Sequence, residues 1–155
     1  AGGPNRPLAV VDYAHTPHAL EQALRALREH GGGRLWCVFG CGGDRDAGKR
    51  PLMGAAAERW ADRVTITDDN PRGEDPQRIV RDIQAGMRHP EAAAVIRDRR
   101  TAIAHTLAEA APGDIVLIAG KGHEDVQIVG AEKRPFSDRD VARECLSSAG
   151  QMETA

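Results

Sequence analysis

Short apolar runs alternate with segments of helical periodicity along most of the chain. The apolar runs predict strands over residues 8–12, 34–39, 63–67, 93–96 and 114–119. Apolar or small residues at helical spacing predict helices over residues 17–29, 51–60, 76–87, 98–110 and 138–146. Residues 126–129 and 133–136 add a hairpin, which we expect at the sheet edge. The alternation predicts an α/β fold, a Rossmann-like three-layer domain with a mostly parallel sheet of about six strands and helices on both faces.

Four of the predicted strands end in polar loops that are rich in glycine or aspartate. These loops are residues 12–16, 40–50, 68–75 and 120–125. The carboxyl ends of parallel strands meet at one edge of a sheet, and α/β proteins bind their ligands there. We therefore expect the four loops to lie together and to form a ligand site.

Composition excludes several classes of partner. The 155 residues carry a net charge of −2 at pH 7, which does not favour a surface for nucleic acid or for an acidic membrane. No apolar run approaches the roughly 20 residues of a membrane-spanning helix. The three cysteines are an odd number, and residues 1–7 do not resemble a secretory signal. Reduced thiols and a cytoplasmic location are the expectation.

The domain is expected to cover residues 8–147. Residues 1–7 are interpreted as a linker or the cut edge of a longer chain, and residues 148–155 as a frayed tail. Cys37 and Cys41 are interpreted as a buried thiol and a small loop residue, because no second Cys or His pair at zinc spacing accompanies them. We assign no metal ligand to the chain.

The loop after the second predicted strand is a candidate for anion binding. Gly42 and Gly43 let the backbone approach a ligand closely. Arg45, Lys49 and Arg50 supply three cations suited to phosphate or carboxylate. The loop matches neither the Walker A nor the Gly-x-Gly-x-x-Gly pattern. A solvated basic loop is the alternative interpretation.

Two further loops can together hold an amino acid. Asn70 precedes a proline and is kept out of the helical region, and Arg72 lies shortly before a predicted helix, where a carboxylate binds well. An Asx-Pro turn with a surface arginine is the alternative. In the loop 120–125, Lys121 is a candidate for phosphate and Glu124 for an ammonium group. The arginine would take an α-carboxylate and the glutamate an α-ammonium group.

The first loop has the composition of a nucleotide-facing segment. Asp12 can accept hydrogen bonds from ribose hydroxyls or hold a magnesium-bound water, and His15 can meet a phosphate. A capping network at the start of the following helix is the alternative for Asp12 and Thr16.

Four motifs, in this order, resemble the C-terminal domain of the Mur ligases, and more narrowly of the branch that adds diaminopimelate. They are Asp-Tyr-Ala-His-Thr-Pro at 12–17, Phe-Gly-Cys-Gly-Gly-Asp-Arg-Asp-Ala-Gly-Lys-Arg-Pro at 39–51, Asp-Asp-Asn-Pro-Arg at 68–72 and Gly-Lys-Gly-His-Glu-Asp at 120–125. The resemblance covers residues 8–146. It implies a Rossmann-like fold and ATP-dependent amide formation in peptidoglycan synthesis, in which meso-diaminopimelate is added to UDP-MurNAc-L-Ala-D-Glu through an acyl-phosphate.

The resemblance also implies roles for individual residues. A meso-diaminopimelate site would comprise Arg45, Asp69, Asn70, Pro71, Arg72, Gly120 and Glu124, while Asp12 and His15 would face ATP. The free end of diaminopimelate carries a carboxylate that lysine lacks, so an arginine at position 72 favours diaminopimelate by charge complementarity.

Other parts of the reaction are expected outside this sequence. ATP and Mg²⁺ would be bound largely by a central domain, whose Gly-x-x-Gly-Lys-Thr/Ser loop the sequence does not contain. UDP-MurNAc-dipeptide would reach the site through the missing domains. We assign no catalytic residue to the chain and expect it to be inactive alone. Two alternatives stay open: a stand-alone amino-acid-binding module on the same fold, and an amide ligase with a different acceptor, such as a folylpolyglutamate or cyanophycin synthetase.

Overall fold

Strands and helices alternate from the first strand to the last helix. The computed structural model describes residues 5–154 and the side chains of residues 5–147. The elements are β1 (Leu8–Asp12), α1 (Pro17–Arg28), β2 (Leu35–Phe39), α2 (Lys49–Trp60), β3 (Arg63–Ile66), α3 (Pro76–Gln84), a 3₁₀ turn (Pro90–Ala92), β4 (Ala94–Val95), α4 (Arg99–Glu109), β5 (Ile115–Ala119), β6 (Val126–Val129), β7 (Glu132–Pro135) and α5 (Asp138–Thr154). The predicted α/β class is confirmed.

Five strands form one parallel sheet with the order β1-β5-β2-β3-β4. One face packs against α1, α2 and α3, and the other face packs against α4 and α5. Side chains of β2 alternate between the two cores, because neighbouring residues of a strand point to opposite faces. Cys37 and Phe39 join the first core, whereas Trp36 and Val38 join the second. All five residues of β5 are buried, as expected for a central parallel strand.

The predicted hairpin forms, but not at the edge of the main sheet. β6 and β7 make a separate antiparallel sheet, so the main sheet has five strands instead of about six. The hairpin lies against the loop between β3 and α3, where Arg72 forms an isolated bridge with Val129. Local pairing predicted the hairpin correctly, but its position depends on contacts with a distant loop.

Three predicted helix boundaries were wrong, and one of them is the end of α3, which lies at Gln84 and not at residue 87. α2 begins at Lys49, ahead of the predicted start at Pro51. Proline is tolerated within the first turn, where its missing N–H has no partner inside the helix. α5 continues to Thr154 instead of ending at Leu146. Residues 1–4, which were interpreted as part of a linker, lie outside the described residues. The side chains of the predicted tail, residues 148–155, also lie outside them.

The strand order brings the polar loops together. β1, β5, β2 and β3 are consecutive neighbours in the sheet and run in the same direction. Their carboxyl ends therefore meet at one edge, as the sequence pattern predicts. No helix within residues 5–154 is both long and apolar enough to cross a membrane.

Candidate ligand-binding site at the carboxyl edge of the sheet

The four loops enclose an open cavity of about 430 Å³. It is lined by residues from all four: Tyr13, His15, Gly42, Arg45, Asp46, Lys49, Asp69, Asn70, Arg72, Gly120 and Glu124. Most of the site residues expected from the sequence are in this set. Asp12 and Pro71, which were also expected, are not among the lining residues.

Close contact between two loops shapes the cavity wall. The Gly43 N–H donates to the Asn70 carbonyl at 2.8 Å, and the Arg72 guanidinium donates to the Gly43 carbonyl at 3.0 Å. A Cβ atom at Gly43 would overlap the carbonyl oxygen of Pro71. Pro71 therefore contributes backbone packing against the glycine loop.

Hydrogen bonds from the hairpin to backbone groups fix the loop that contains Asn70 and Arg72. Arg72 has a φ of 53°, in the left-handed region that residues other than glycine rarely adopt. Its N–H donates to the Ile128 carbonyl at 3.1 Å, and its carbonyl accepts from the Gly130 N–H. The Gln127 side chain donates to the Asp69 carbonyl at 2.7 Å. These hydrogen bonds stabilise a strained loop that points the Arg72 side chain at the cavity.

Among the described side chains, Arg45 and Arg72 are the two guanidinium groups that line the cavity. Arg45 is exposed and donates to the neighbouring Asp44 carbonyl at 3.0 Å. Arg72 is half-buried and is held by Gly43 as described above. A guanidinium has five N–H donors, so each can still present a fork to a carboxylate.

Lys121 is not placed to bind a phosphate, which corrects the expectation from the sequence. Its side chain is fully buried beneath the cavity. The ammonium nitrogen donates to the Asn70 Oδ1 at 3.0 Å and lies 3.5 Å from a Glu124 carboxylate oxygen and 3.7 Å from an Asp69 carboxylate oxygen. Asn70 Oδ1 also accepts from the Ile128 N–H at 2.9 Å, so both of its lone pairs face the protein.

Arg50 is likewise structural, which overturns its interpretation as an anion ligand. Its side chain is fully buried and forms ion pairs with Glu74 at 2.6 Å and Asp82 at 2.9 Å. It also donates to the Gly42 carbonyl at 3.0 Å. The hydrogen bonds from Arg50 and from the Asp44 N–H lower the pKa of Glu74 to about 2. The network ties the glycine loop to the loop before α3.

The remaining cation of the glycine loop lies at the cavity rim. Lys49 donates to the His15 carbonyl at 2.8 Å, which joins the first loop to the start of α2. The Tyr13 and His15 rings lie 4.5 Å apart, and Tyr13 is half exposed. Asp12 accepts from the Ala14 N–H at 2.8 Å, a contact within the loop, whereas Thr16 caps α1.

Arg99 forms hydrogen bonds with the backbone from which two of the site loops begin. The sequence did not predict this contact. It is fully buried with Asp138, the first residue of α5, and the two form a bidentate pair at 2.7 Å. Arg99 also donates to the carbonyls of Asp68 and Ala119, both at 3.1 Å. These carbonyls lie just after β3 and at the end of β5, where the loops of Asp69 and Gly120 begin. No local signal distinguishes Arg99 from its neighbour Arg100, whose side chain is exposed.

The described side chains include no group of three or more His, Cys, Asp or Glu residues that could hold a metal ion. Burial raises the pKa of the Cys37 and Cys41 thiols to about 12, so neither presents a thiolate. The interpretation of Cys37 as a buried thiol is confirmed, and Cys41, interpreted as a small loop residue, lies in the loop after β2 and is buried as well.

A parallel α/β sheet with charged side chains at its carboxyl edge defines the class of Rossmann-like domains, in which ligands bind at that edge. Comparison with known proteins makes the assignment specific. Residues 2–122 match the family "Mur ligase, glutamate ligase domain". The chain belongs to this family, and the resemblance found in the sequence is confirmed.

Two curated relatives carry the name UDP-N-acetylmuramoyl-L-alanyl-D-glutamate–2,6-diaminopimelate ligase. The protein from Chromobacterium violaceum is 58% identical over 152 residues, which are 97% of this chain and 31% of the relative. The protein from Pseudomonas putida is 56% identical over 147 residues, which are 95% of this chain and 30% of the relative. The chain thus spans about three tenths of the length of these relatives.

Solved structures agree with the fold. A structure of a UDP-N-acetylmuramoyl-L-alanyl-D-glutamate–2,6-diaminopimelate ligase superposes with a TM-score of 0.88 and 44% identity, over 97% of this chain and 32% of that one. A bifunctional folylpolyglutamate synthase/dihydrofolate synthase with Mn, AMPPNP and L-glutamate bound has a TM-score of 0.59 at 22% identity, over 77% of this chain and 27% of that one. The second likeness shows a shared fold alone.

Proposed function

We propose that this chain is the amino-acid-binding C-terminal domain of an ATP-dependent ligase that adds meso-diaminopimelate to UDP-MurNAc-L-Ala-D-Glu. In the reaction that the family resemblance implies, the D-glutamate side-chain carboxylate is first activated as an acyl-phosphate. The amino group of diaminopimelate then attacks the carbonyl carbon, and phosphate leaves as the amide forms. No side chain of this chain is assigned a catalytic step. Its proposed task is to bind and orient the incoming amino acid.

The presence of both guanidinium and carboxylate groups around one cavity is the observation that carries this proposal. Arg45 and Arg72 lie on the loops after β2 and β3, while Glu124 lies on the loop after β5. A zwitterion matches this arrangement, because its carboxylate can meet the guanidinium groups while its ammonium group meets Glu124. Asp69, Asn70 and Gly120 complete the proposed pocket, and Pro71 supports it through the backbone.

Arg72 favours diaminopimelate over lysine. The end of meso-diaminopimelate that forms no amide keeps both an ammonium group and a carboxylate. With lysine the half-buried guanidinium would lack its anion, and the loss of such a partner typically costs about 2–5 kcal/mol. The names of the two curated relatives support the same acceptor.

Nucleotide is proposed to approach at the rim of the cavity formed by His15 and Lys49. Lys49 and His15 are joined by a hydrogen bond, and a phosphate can be met by the lysine ammonium group and by the imidazole. Asp12 retains one carboxylate oxygen beside its contact with Ala14 that can accept a hydrogen bond from a ribose. ATP supplies the activating phosphoryl group when bound. Mg²⁺ and most of the ATP site are proposed to belong to other domains of the ligase, and the free cysteines agree with a cytoplasmic enzyme.

Amide formation by the full-length ligase tests the proposal. We expect ATP-dependent product with UDP-MurNAc-L-Ala-D-Glu and meso-diaminopimelate, and a much lower kcat/KM with L-lysine. Equal kcat/KM values for the two amino acids would contradict the specificity. The isolated chain is expected to show no turnover in the same assay, so turnover by the chain alone would contradict its role as a dependent domain.

A stand-alone amino-acid-binding module remains the second candidate, because four loops of this chain line the cavity. Calorimetric titration of the isolated chain with meso-diaminopimelate, together with the sequence preceding Ala1, separates the two. Binding without any adjoining ATPase domain would favour the module. A ligase with another acceptor would instead show product in the amide assay with a different amino acid.

A further inference from the structure

Lys121 is a fully buried cation at the floor of the cavity, and no step of the proposed reaction uses it. Burying an ammonium group is costly unless nearby groups compensate its charge and its hydrogen bonds. Compensation comes from Asn70 at 3.0 Å, Glu124 at 3.5 Å and Asp69 at 3.7 Å. Each of these three residues also lines the cavity. Lys121 therefore contacts three cavity-lining residues from the interior of the protein.

The fold brings Lys121 to this place through a tight turn. Gly120 and Gly122 have φ values of 116° and 56°, and the Glu124 N–H donates to the Lys121 carbonyl at 2.9 Å. The turn brings Glu124 back beside the lysine ammonium group. Asp69 and Asn70 reach the same group from the loop after β3. Lys121 thus joins two loops that carry proposed ligand-binding residues.

The charges in this cluster do not cancel. One ammonium group faces the carboxylates of Asp69 and Glu124, so the cavity floor carries one net negative charge. A ligand ammonium group matches that charge, whereas a floor with two uncompensated carboxylates would repel the ligand's own carboxylate.

We propose that Lys121 is a positioning and specificity-determining residue, which sets the floor charge to match one ligand ammonium group and holds Asn70 and Glu124 in place. The inference rests on the proposed function and deepens it, because it assigns acceptor choice to a side chain that does not reach the ligand. A purely structural lysine would affect stability without changing the preference between acceptors.

Replacing Lys121 by methionine in the full-length ligase tests this role. Lys121→Met keeps an unbranched side chain and makes the floor more negative by one charge. We expect the KM for meso-diaminopimelate to rise about tenfold or more, because its free carboxylate is repelled. The ratio of kcat/KM for L-lysine to that for meso-diaminopimelate should rise at the same time. Lys133→Met, at an exposed lysine of the hairpin, is the matched control and should change neither value.

Asp69→Asn provides the opposite change, because it makes the floor neutral. The lysine-to-diaminopimelate ratio should then fall below that of the unaltered enzyme. The double variant Lys121→Met with Asp69→Asn restores one net negative charge and should recover most of the original ratio. Asp69→Asn and the double variant test the inference even if Lys121→Met alone does not fold. Circular dichroism and thermal unfolding would show whether each variant is folded.

An unchanged lysine-to-diaminopimelate ratio in Asp69→Asn, or in a folded Lys121→Met, would overturn the inference, as would shifts of the same sign in both. An unaltered enzyme that does not use meso-diaminopimelate at all would instead overturn the proposed function. The two failures are therefore distinguishable.

Discussion

Arg72 combines a strained backbone with an exposed part of its guanidinium group. Its φ of 53° is maintained by hydrogen bonds with Ile128 and Gly130, and its side chain is anchored by the Gly43 carbonyl. Side-chain and backbone contacts together limit the directions that the guanidinium group can take. Such pre-organisation would lower the entropy lost on binding of the proposed carboxylate.

Arg72→Ala is expected to weaken use of meso-diaminopimelate strongly while leaving the fold intact. The loss of about 2–5 kcal/mol of binding corresponds to a rise in KM of roughly thirtyfold or more. Steady-state kinetics of the full-length ligase would measure it. Arg134→Ala is the matched control, because Arg134 is an exposed arginine of the hairpin that pairs with Glu132. A KM unchanged by Arg72→Ala would argue against the carboxylate contact.

Glu74 makes the stability of the site region dependent on pH. Its pKa falls from 4.5 to about 2 in the folded protein, chiefly through the hydrogen bond from Arg50. The lowered pKa means that the folded state binds this proton more weakly than the unfolded state does. The stabilisation is therefore complete above about pH 4.5 and is lost as the pH falls towards 2.

Glu74→Gln should lower the free energy of unfolding at pH 7 by about 2 kcal/mol, because the buried Arg50 loses part of its charge compensation. The difference between the variant and the unaltered chain should shrink as the pH falls from about 4.5 to about 2. Urea unfolding at a series of pH values would measure this trend. Glu132→Gln on the exposed hairpin serves as control, and a difference that stays constant with pH would contradict the assignment.

At the scale of elements, the site depends on loops that pack directly against one another. The glycine loop after β2 contacts the loop after β3, and the hairpin of β6 and β7 contacts that loop from its other side. The sheet fixes where each loop begins, but loop-to-loop hydrogen bonds fix its course. A small displacement at one contact should therefore reach the whole cavity.

Gly43→Ala tests this coupling. The added Cβ would overlap the Pro71 carbonyl, so the two loops must separate. We expect a loss of about 1–3 kcal/mol in stability, as for other overpacked sites, and weaker ligand use because Arg72 loses its anchor. Gly32→Ala is the matched control, since its Cβ would have no neighbour within 4 Å. Chemical unfolding compares the two, and equal effects would show that the loop contact is dispensable.

At the scale of the whole molecule, one buried ion pair connects the second core to the binding edge. Arg99 at the start of α4 pairs with Asp138 at the start of α5. It also donates to two carbonyls at the carboxyl edge of the sheet, one just after β3 and one at the end of β5. Removing one partner of a buried pair leaves an uncompensated charge, which is more costly than losing an exposed pair.

Asp138→Ala should lower the free energy of unfolding by about 3–5 kcal/mol. Asp140→Ala should cost less than about 1 kcal/mol, because Asp140 is exposed and its contact with Arg143 is 3.9 Å long. Both aspartates lie in the first turn of α5, so the comparison cancels most of the helix-dipole contribution. Thermal or urea unfolding of both variants measures the difference, and similar losses would indicate that the buried pair adds nothing.

The sequence by itself determined the elements, the layered α/β class and the edge at which the loops meet. These follow from local periodicity, from caps such as the Thr16 hydroxyl that accepts from Ala19, and from the rule that parallel strands share their carboxyl edge. The motifs that carry the family resemblance were also readable without a structure.

Only the tertiary structure decided which charged side chains face the cavity. Four cations lie in or directly after glycine-rich loops, yet two of them line the cavity, Arg45 and Lys49, and two are buried, Arg50 and Lys121. The reason is that burial depends on partners distant in the chain: Lys121 meets Asn70 across 51 positions, and Arg50 meets Asp82 across 32. Local spacing shows that a cation is present, but long-range packing decides whether its charge is compensated inside the protein or remains available to a ligand.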